Sequence, residues 1–190
     1  GVSYSQQSNE VAAWCGPLLQ DGDSRKSGMQ IYHRREWDPQ AGKRIGAEAV
    51  EKAAELLKAS PISGGKLPVV LDEYMAPRFL GMFFGAFSAE SAQRGMSRLQ
   101  GRLGETIAIP ELTLLDDPHR QGANRSCFLD AEGFLTKPLP LIEEGVFSNF
   151  QYHVESANKE KKSSTGHAVR GYSGGISTRS HNLVWPTGEL

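Results

Sequence analysis

Histidine is the side chain best suited to bind a metal or move a proton near neutral pH, and the chain carries five, at positions 33, 119, 153, 167 and 181. No two stand four residues apart and no H-E-x-x-H occurs, so no single helix offers two imidazoles on one face. A zinc site would have to gather distant residues, for example His119, His153 or His167 with Asp130 or Glu132. Each of these also reads as an ordinary turn, strand-end or loop residue. Asp130-Ala131-Glu132-Gly133 places two carboxylates on one face if the segment is extended. The stronger expectation for both is that they accept backbone N–H groups in a tight loop. His167 and Arg170 lie in the glycine-rich stretch Thr165-Gly166-His167-Ala168-Val169-Arg170-Gly171. That pairing suits gripping a peptide carbonyl or carboxylate, because arginine offers a two-pronged donor. Asp116-Asp117-Pro118 reads first as a turn. No serine sits in G-x-S-x-G and no G-x-x-x-x-G-K-[ST] is present, so neither a hydrolase nucleophile nor a phosphate loop is marked.

The elements that must position these residues follow from hydrophobic patterning. Val11 to Cys15 and the alternating run Gly28 to Glu36 read as two strands of a hairpin with a long connection, turning at Asp21-Gly22-Asp23. His33 then falls on a solvated strand face. Ile45, Ala49, Val50, Ala53, Leu56 and Leu57 recur at helical steps and predict a helix over 43–58, ended by Pro61 and Gly64-Gly65. Leu67 to Leu71 reads as a buried strand. A long core helix is expected from about Pro77 to Leu99, with Phe79, Leu80, Phe83, Phe84 and Phe87 as its apolar stripe. That helix is expected to be the main anchor of the fold. Short strands are expected at 106–109 and 112–115, broken at Pro110. Glu143-Glu144-Gly145 predicts a hairpin turn with glycine in the left-handed position, and 154–161 a short helix. From Ser163 onward no periodic element is evident.

A length of 190 residues allows one domain or one and a half, with enough core to need no disulfide or metal staple. Hydrophobic residues make up 38% and the formal net charge is −1, which removes any broad basic field for nucleic acid. Cys15 and Cys127 lie far apart, outside C-x-x-C spacing, and suit a reducing compartment. The first ten residues lack the basic and apolar regions of a signal peptide, and the run Phe79 to Phe87 is too short to span a bilayer.

Several of these stretches, in order, resemble the TldD/PmbA family, described as modulators of DNA gyrase and microcin-maturing metallopeptidases. They are Ile45-Gly46-Ala47-Glu48-Ala49, Pro68-Val69-Val70-Leu71-Asp72, Arg94-Gly95-Met96-Ser97, Asp116-Asp117-Pro118 and Asp130-Ala131-Glu132-Gly133. Gly101 with Leu103-Gly104-Glu105, Leu141-Ile142-Glu143-Glu144-Gly145, Thr165-Gly166-His167-Ala168-Val169-Arg170 and Asn182-Leu183 complete the set. The family's catalytic branch carries H-E-x-x-x-H shortly before the R-G segment. Counted back from Arg94-Gly95, those positions hold Leu80, Gly81 and Gly85, none of which can bind zinc or act as a base. The chain therefore resembles the PmbA (TldE) branch, and family members extend beyond it at both ends.

The resemblance implies an α+β fold, a mixed, largely antiparallel sheet packed against two main helices. Residues 1–40 would form the hairpin-like end of a preceding domain and 41–190 the core domain. It further implies a cytoplasmic, non-catalytic subunit of a TldD/TldE-type metallopeptidase that degrades or processes unfolded peptides. The expected partner is a TldD-like subunit, which would carry the zinc, with a homodimer in that partner's absence. No direct nucleic-acid contact, membrane or cofactor of its own is expected. Asp130, Glu132, His167, Arg170 and Asn182 are the candidate contacts to peptide or partner. The alternatives are a self-sufficient metallopeptidase with a displaced metal site and a protein-binding modulator of gyrase.

Overall fold

The computed structural model describes residues 3–185. The chain divides into two compact units, with the boundary between Val69 and Val70. In the first, β1 (Val11–Cys15), β2 (Leu18–Asp21), β3 (Ser24–Ser27) and β4 (Gln30–Arg34) form one long hairpin. Val11 faces Arg34 at its base, Leu18 faces Ser27 beyond a break, and Asp21 faces Ser24 at the tip. The expected long connection is thus itself paired. The break falls where Pro17 can donate no ladder hydrogen bond. The tip turns at Gly22, whose φ of 56° lies in the left-handed region.

α1 (Ala41–Leu57) packs on this hairpin through Ala41, Ile45, Ala49 and Ala53, a stripe repeating every four residues. The small side chains let the backbones approach closely. A Cβ at Gly28 would stand 2.1 Å from the Ala49 carbonyl oxygen. Lys52 donates to Gln30 across the contact at 2.8 Å. α1 therefore belongs with the strands of residues 11–34, whereas a boundary at residue 40 would separate them. His33 is exposed and pairs with Glu10, as a solvated strand position should.

The chain departs most from expectation over residues 67–93. Leu67 to Leu71 forms no strand, and Val70 is 96% exposed. The single core helix is instead three short pieces: α2 (Met75–Gly81), a 3-10 turn at Phe84–Phe87, and α3 (Ala89–Gln93). Pro77 lies in the first turn of α2, where proline is tolerated, while Gly81 and Gly85 lower helix propensity at the breaks. Ser88 starts a new helix, its hydroxyl accepting from the Ser91 amide at 3.3 Å. The phenylalanine stripe is not the anchor either: Phe79 and Phe83 are exposed and only Phe87 is fully in the core.

The anchor is a four-stranded antiparallel sheet in the order β10-β5-β6-β7. Its strands are β5 (Leu114–Asp116), β6 (Leu139–Glu143), β7 (Val146–Phe147) and β10 (Leu183–Val184). Leu114, Leu141, Phe147 and Phe150 join Phe87 and Ala92 in one core. Phe147 and Phe150 meet edge-to-face, with centroids 4.7 Å apart. The expected hairpin is present: Glu144 and Gly145 both have positive φ, 48° and 81°. The strand expected at 106–109 is reduced to a single bridge, Thr106 to Val146. α4 (Val154–Lys159) follows, then the hairpin β8 (Ala168–Arg170) and β9 (Ile176–Thr178). These late strands carry no periodic signal because each spans only two or three residues. The fold is α+β with antiparallel ladders, though α1 and the main sheet lie in different units.

Candidate functional site

A buried polar hub lies beside the main sheet. Asp116, at the end of β5, has no exposed surface, and its carboxylate meets only donors. Gln151 Nε2 donates to Oδ2 at 2.8 Å, His167 Nε2 faces the same oxygen at 3.1 Å, and the His181 amide donates at 3.0 Å. Because the carboxylate accepts, the His167 proton belongs on Nε2, and Nδ1 accepts from Thr165 at 2.8 Å. Gln151 also meets Ser180 Oγ at 2.8 Å. His181 donates from Nε2 to the Gly166 carbonyl at 2.8 Å, leaving Nδ1 facing Cys127 Sγ at 3.4 Å. The two imidazole rings lie 4.9 Å apart.

Local backbone chemistry brings these groups together. Gly166 has φ of 76°, and a Cβ there would stand 2.9 Å from the Leu135 carbonyl oxygen. Only glycine turns the chain so closely before His167. Burial pushes the His181 pKa down, against the hydrogen bond to the Gly166 carbonyl, which favours the protonated ring. Cys127 is not an activated thiol: burial, then Asp130 and Asp116, raise its pKa. The hub thus holds its parts in place and lacks a poised nucleophile.

The hub also tethers the backbone just after Leu80, Gly81 and Gly85, the positions that the family resemblance sets against a metal motif. The Gln151 amide donates to the Phe87 carbonyl at 2.8 Å, and its own carbonyl accepts from Ala89 at 3.0 Å. Leu80, Gly81 and Gly85 lie on α2 and the 3-10 turn just before that tether. These residues do not fit a zinc ion, since none supplies a lone pair. Among the described residues no three His, Cys, Asp or Glu side chains converge to hold one.

The sequence-selected residues are spread through this unit and differ in kind. Asp130 Oδ1 accepts from the Glu132 and Phe134 amides, both at 2.9 Å, and Oδ2 from the Ala168 amide at 3.1 Å. Glu132 accepts the Val154 amide at 2.7 Å, at the start of α4. Both carboxylates therefore serve the backbone, as a tight loop asks. Asn182 Nδ2 donates to the Asp117 carbonyl at 2.9 Å, and its Oδ1 accepts from Arg125. His167 is buried in the hub, whereas Arg170 is exposed on β8. His119 and His153 are separate from it, one on Thr136 and the other on Thr178. Gln151 and Ser180 carry no signal in the sequence, Asp116 reads first as a turn residue, and His181 is one of the five histidines, without an assigned site.

Residues 64–190 match the model of the PmbA/TldA metallopeptidase C-terminal domain, and the chain is a member of that family. The "Metalloprotease" of Methanothermobacter thermautotrophicus is 32% identical over 100% of this chain and 43% of its own length. "Metalloprotease PmbA" of Escherichia coli O157:H7 is 28% identical, over 81% of this chain and 34% of that protein. Among solved structures, TldE from Thermococcus kodakarensis superposes with a TM-score of 0.80 at 25% identity, covering 95% of this chain and 41% of its own. A Thermotoga maritima protein described as a modulator of a DNA gyrase gives 0.83 at 29% identity, covering 94% and 40%. The chain spans less than half the length of these relatives. Among the described residues no helix is long and apolar enough to cross a membrane.

Proposed function

We propose that this chain acts within a non-catalytic, TldE-like subunit that works with a zinc-carrying TldD-like partner on extended or unfolded peptides. The observation that carries this reading is the chemistry at the motif positions: Leu80, Gly81 and Gly85 replace two ligands and a general base. Support comes from the same stretch, where Val70, Met82 and Phe83 are exposed apolar side chains of the kind a partner surface covers. Peptide would add along an edge of the β8–β9 hairpin, with Arg170 reaching a carbonyl or carboxylate. Asp130, Glu132, His167 and Asn182 would shape that region from within. The protein would act in the cytoplasm.

Mixing the full-length protein with a TldD-like partner should produce peptidase activity that neither shows alone. A partner equally active without it would defeat the reading. The relatives named metalloproteases favour a second reading, a peptidase in its own right. Stoichiometric zinc in the purified full-length protein, with activity lost on chelation, would select that one instead.

A further inference from the structure

The hairpin of the first unit is covered on one side only. Ala13, Cys15 and Tyr32 turn toward α1 and pack with Ala41 and Ile45. Trp14 and Ile31 stand opposite each other across β1 and β4 on the other side, 72% and 41% exposed. Leu18 and Met29, further along the ribbon, are exposed as well. Two strands alone are marginal in water, and one helix covers a single face.

The ribbon also has open edges. β1 pairs with β4 and β2 with β3, so among the described residues no strand lies outside β3 and β4. Such an edge presents unpaired N–H and C=O groups to any extended chain. Its charge is one-sided. From Ser24 to Arg35 the sequence holds Arg25, Lys26, Arg34 and Arg35 and no Asp or Glu. The first three are exposed, and among the described residues no carboxylate bridges any of the four. Two carboxylates do approach the ribbon: Glu10 pairs with His33, and Glu48 of α1 accepts from Gln30 on the covered side. Charges of one sign on an edge keep a like edge away. This edge therefore selects against a second copy of itself and for a chain of opposite sign.

We propose that the β3–β4 edge binds an extended, acidic protein segment by strand addition. The segment's backbone would continue the ladder beside β4, and its apolar side chains would lie on the face of Ile31 and Trp14. Acids at its two ends would meet Arg25 and Lys26 at one end and Arg34 and Arg35 at the other. At about 3.3 Å per extended residue, a segment of about ten residues reaches both basic ends. This edge belongs to the first unit and is independent of the β8–β9 hairpin.

The test is a nuclear magnetic resonance titration of the isotope-labelled chain with a blocked Asp-Glu-Val-Thr-Val-Thr-Val-Glu-Asp peptide. One control carries lysine in place of every acid, and another carries proline at the central valine, which removes a ladder donor. The acidic peptide should shift the amides of residues 24–34 and the Trp14 indole with a Kd below about 1 mM. It should bind at least about tenfold more tightly than either control, and more weakly in high salt. Lys26→Glu combined with Arg34→Glu should turn the preference toward the lysine peptide, with the remaining spectrum reporting the fold. Equal binding of the lysine peptide, or shifts confined to other residues, overturns the proposal. Tighter binding of a short oligothymidylate assigns the basic strand to nucleic acid, and concentration-dependent shifts at 24–34 without peptide assign it to a second copy. Either result overturns the proposal too. None of these outcomes involves Leu80, Gly81 or Gly85, so failure here leaves the subunit reading standing.

Discussion

Asp116 and Val70 belong to the same unit, yet the acid is completely buried while the valine is 96% exposed. A ranking by hydrophobicity would exchange them. The acid is buried because donors from residues 151, 167 and 181 replace its water. The apolar stretch from Val70 to Phe83 stays outside because its short helix has no face of the sheet to cover. Polarity tells which groups need partners, and topology decides who receives them.

The contrast can be broken most severely at its centre. Asp116→Ala should cost about 3–5 kcal/mol in urea denaturation, because three buried donors lose their acceptor at once. Asp116→Asn, which keeps the shape, should cost less. Next, Phe87→Ala should cost about 3 kcal/mol, whereas Phe83→Ala should stay within about 0.5 kcal/mol. Equal losses would mean that the exposed stretch is packed after all.

A pH series sharpens the comparison further. The folded His181 pKa lies below its ordinary 6.5, so the unfolded chain binds more protons as the pH falls past that value. Stability should therefore be fully present above 6.5 and decline toward the folded pKa, by at most about 1.4 kcal/mol per pH unit for one proton. His181→Gln should flatten that decline. The smallest effect belongs to Lys161→Gly, which relieves a left-handed backbone at an exposed helix end and should add about 0.5 kcal/mol.

Regular patterning made much of the fold legible. The alternation at 28–36, the four-residue rhythm of Ile45, Ala49 and Ala53, and the Glu144-Gly145 turn each state their structure within a few residues. Family membership was legible in the ordered short stretches. The run from Phe79 to Phe87 misled because apolar composition shows what avoids water and not what this chain provides to cover it. Gly81 and Gly85 sit where the helix breaks. A Cβ would meet no atom within 4 Å at Gly85 and only the edge of Phe84 at Gly81. The hub was illegible for another reason. The Asp116 partners lie 35, 51 and 65 positions away, and no local spacing announces them.

Those separations also set the order of assembly. As a ribosome delivers the chain, the β6–β7 hairpin can close early, but Asp116 must wait for the amide of residue 181. Until that segment arrives, the carboxylate lacks one of its three donors, which disfavours docking of β5. The second unit therefore gains its cooperativity late and slowly, and a nascent chain stopped before residue 180 should remain open to proteases.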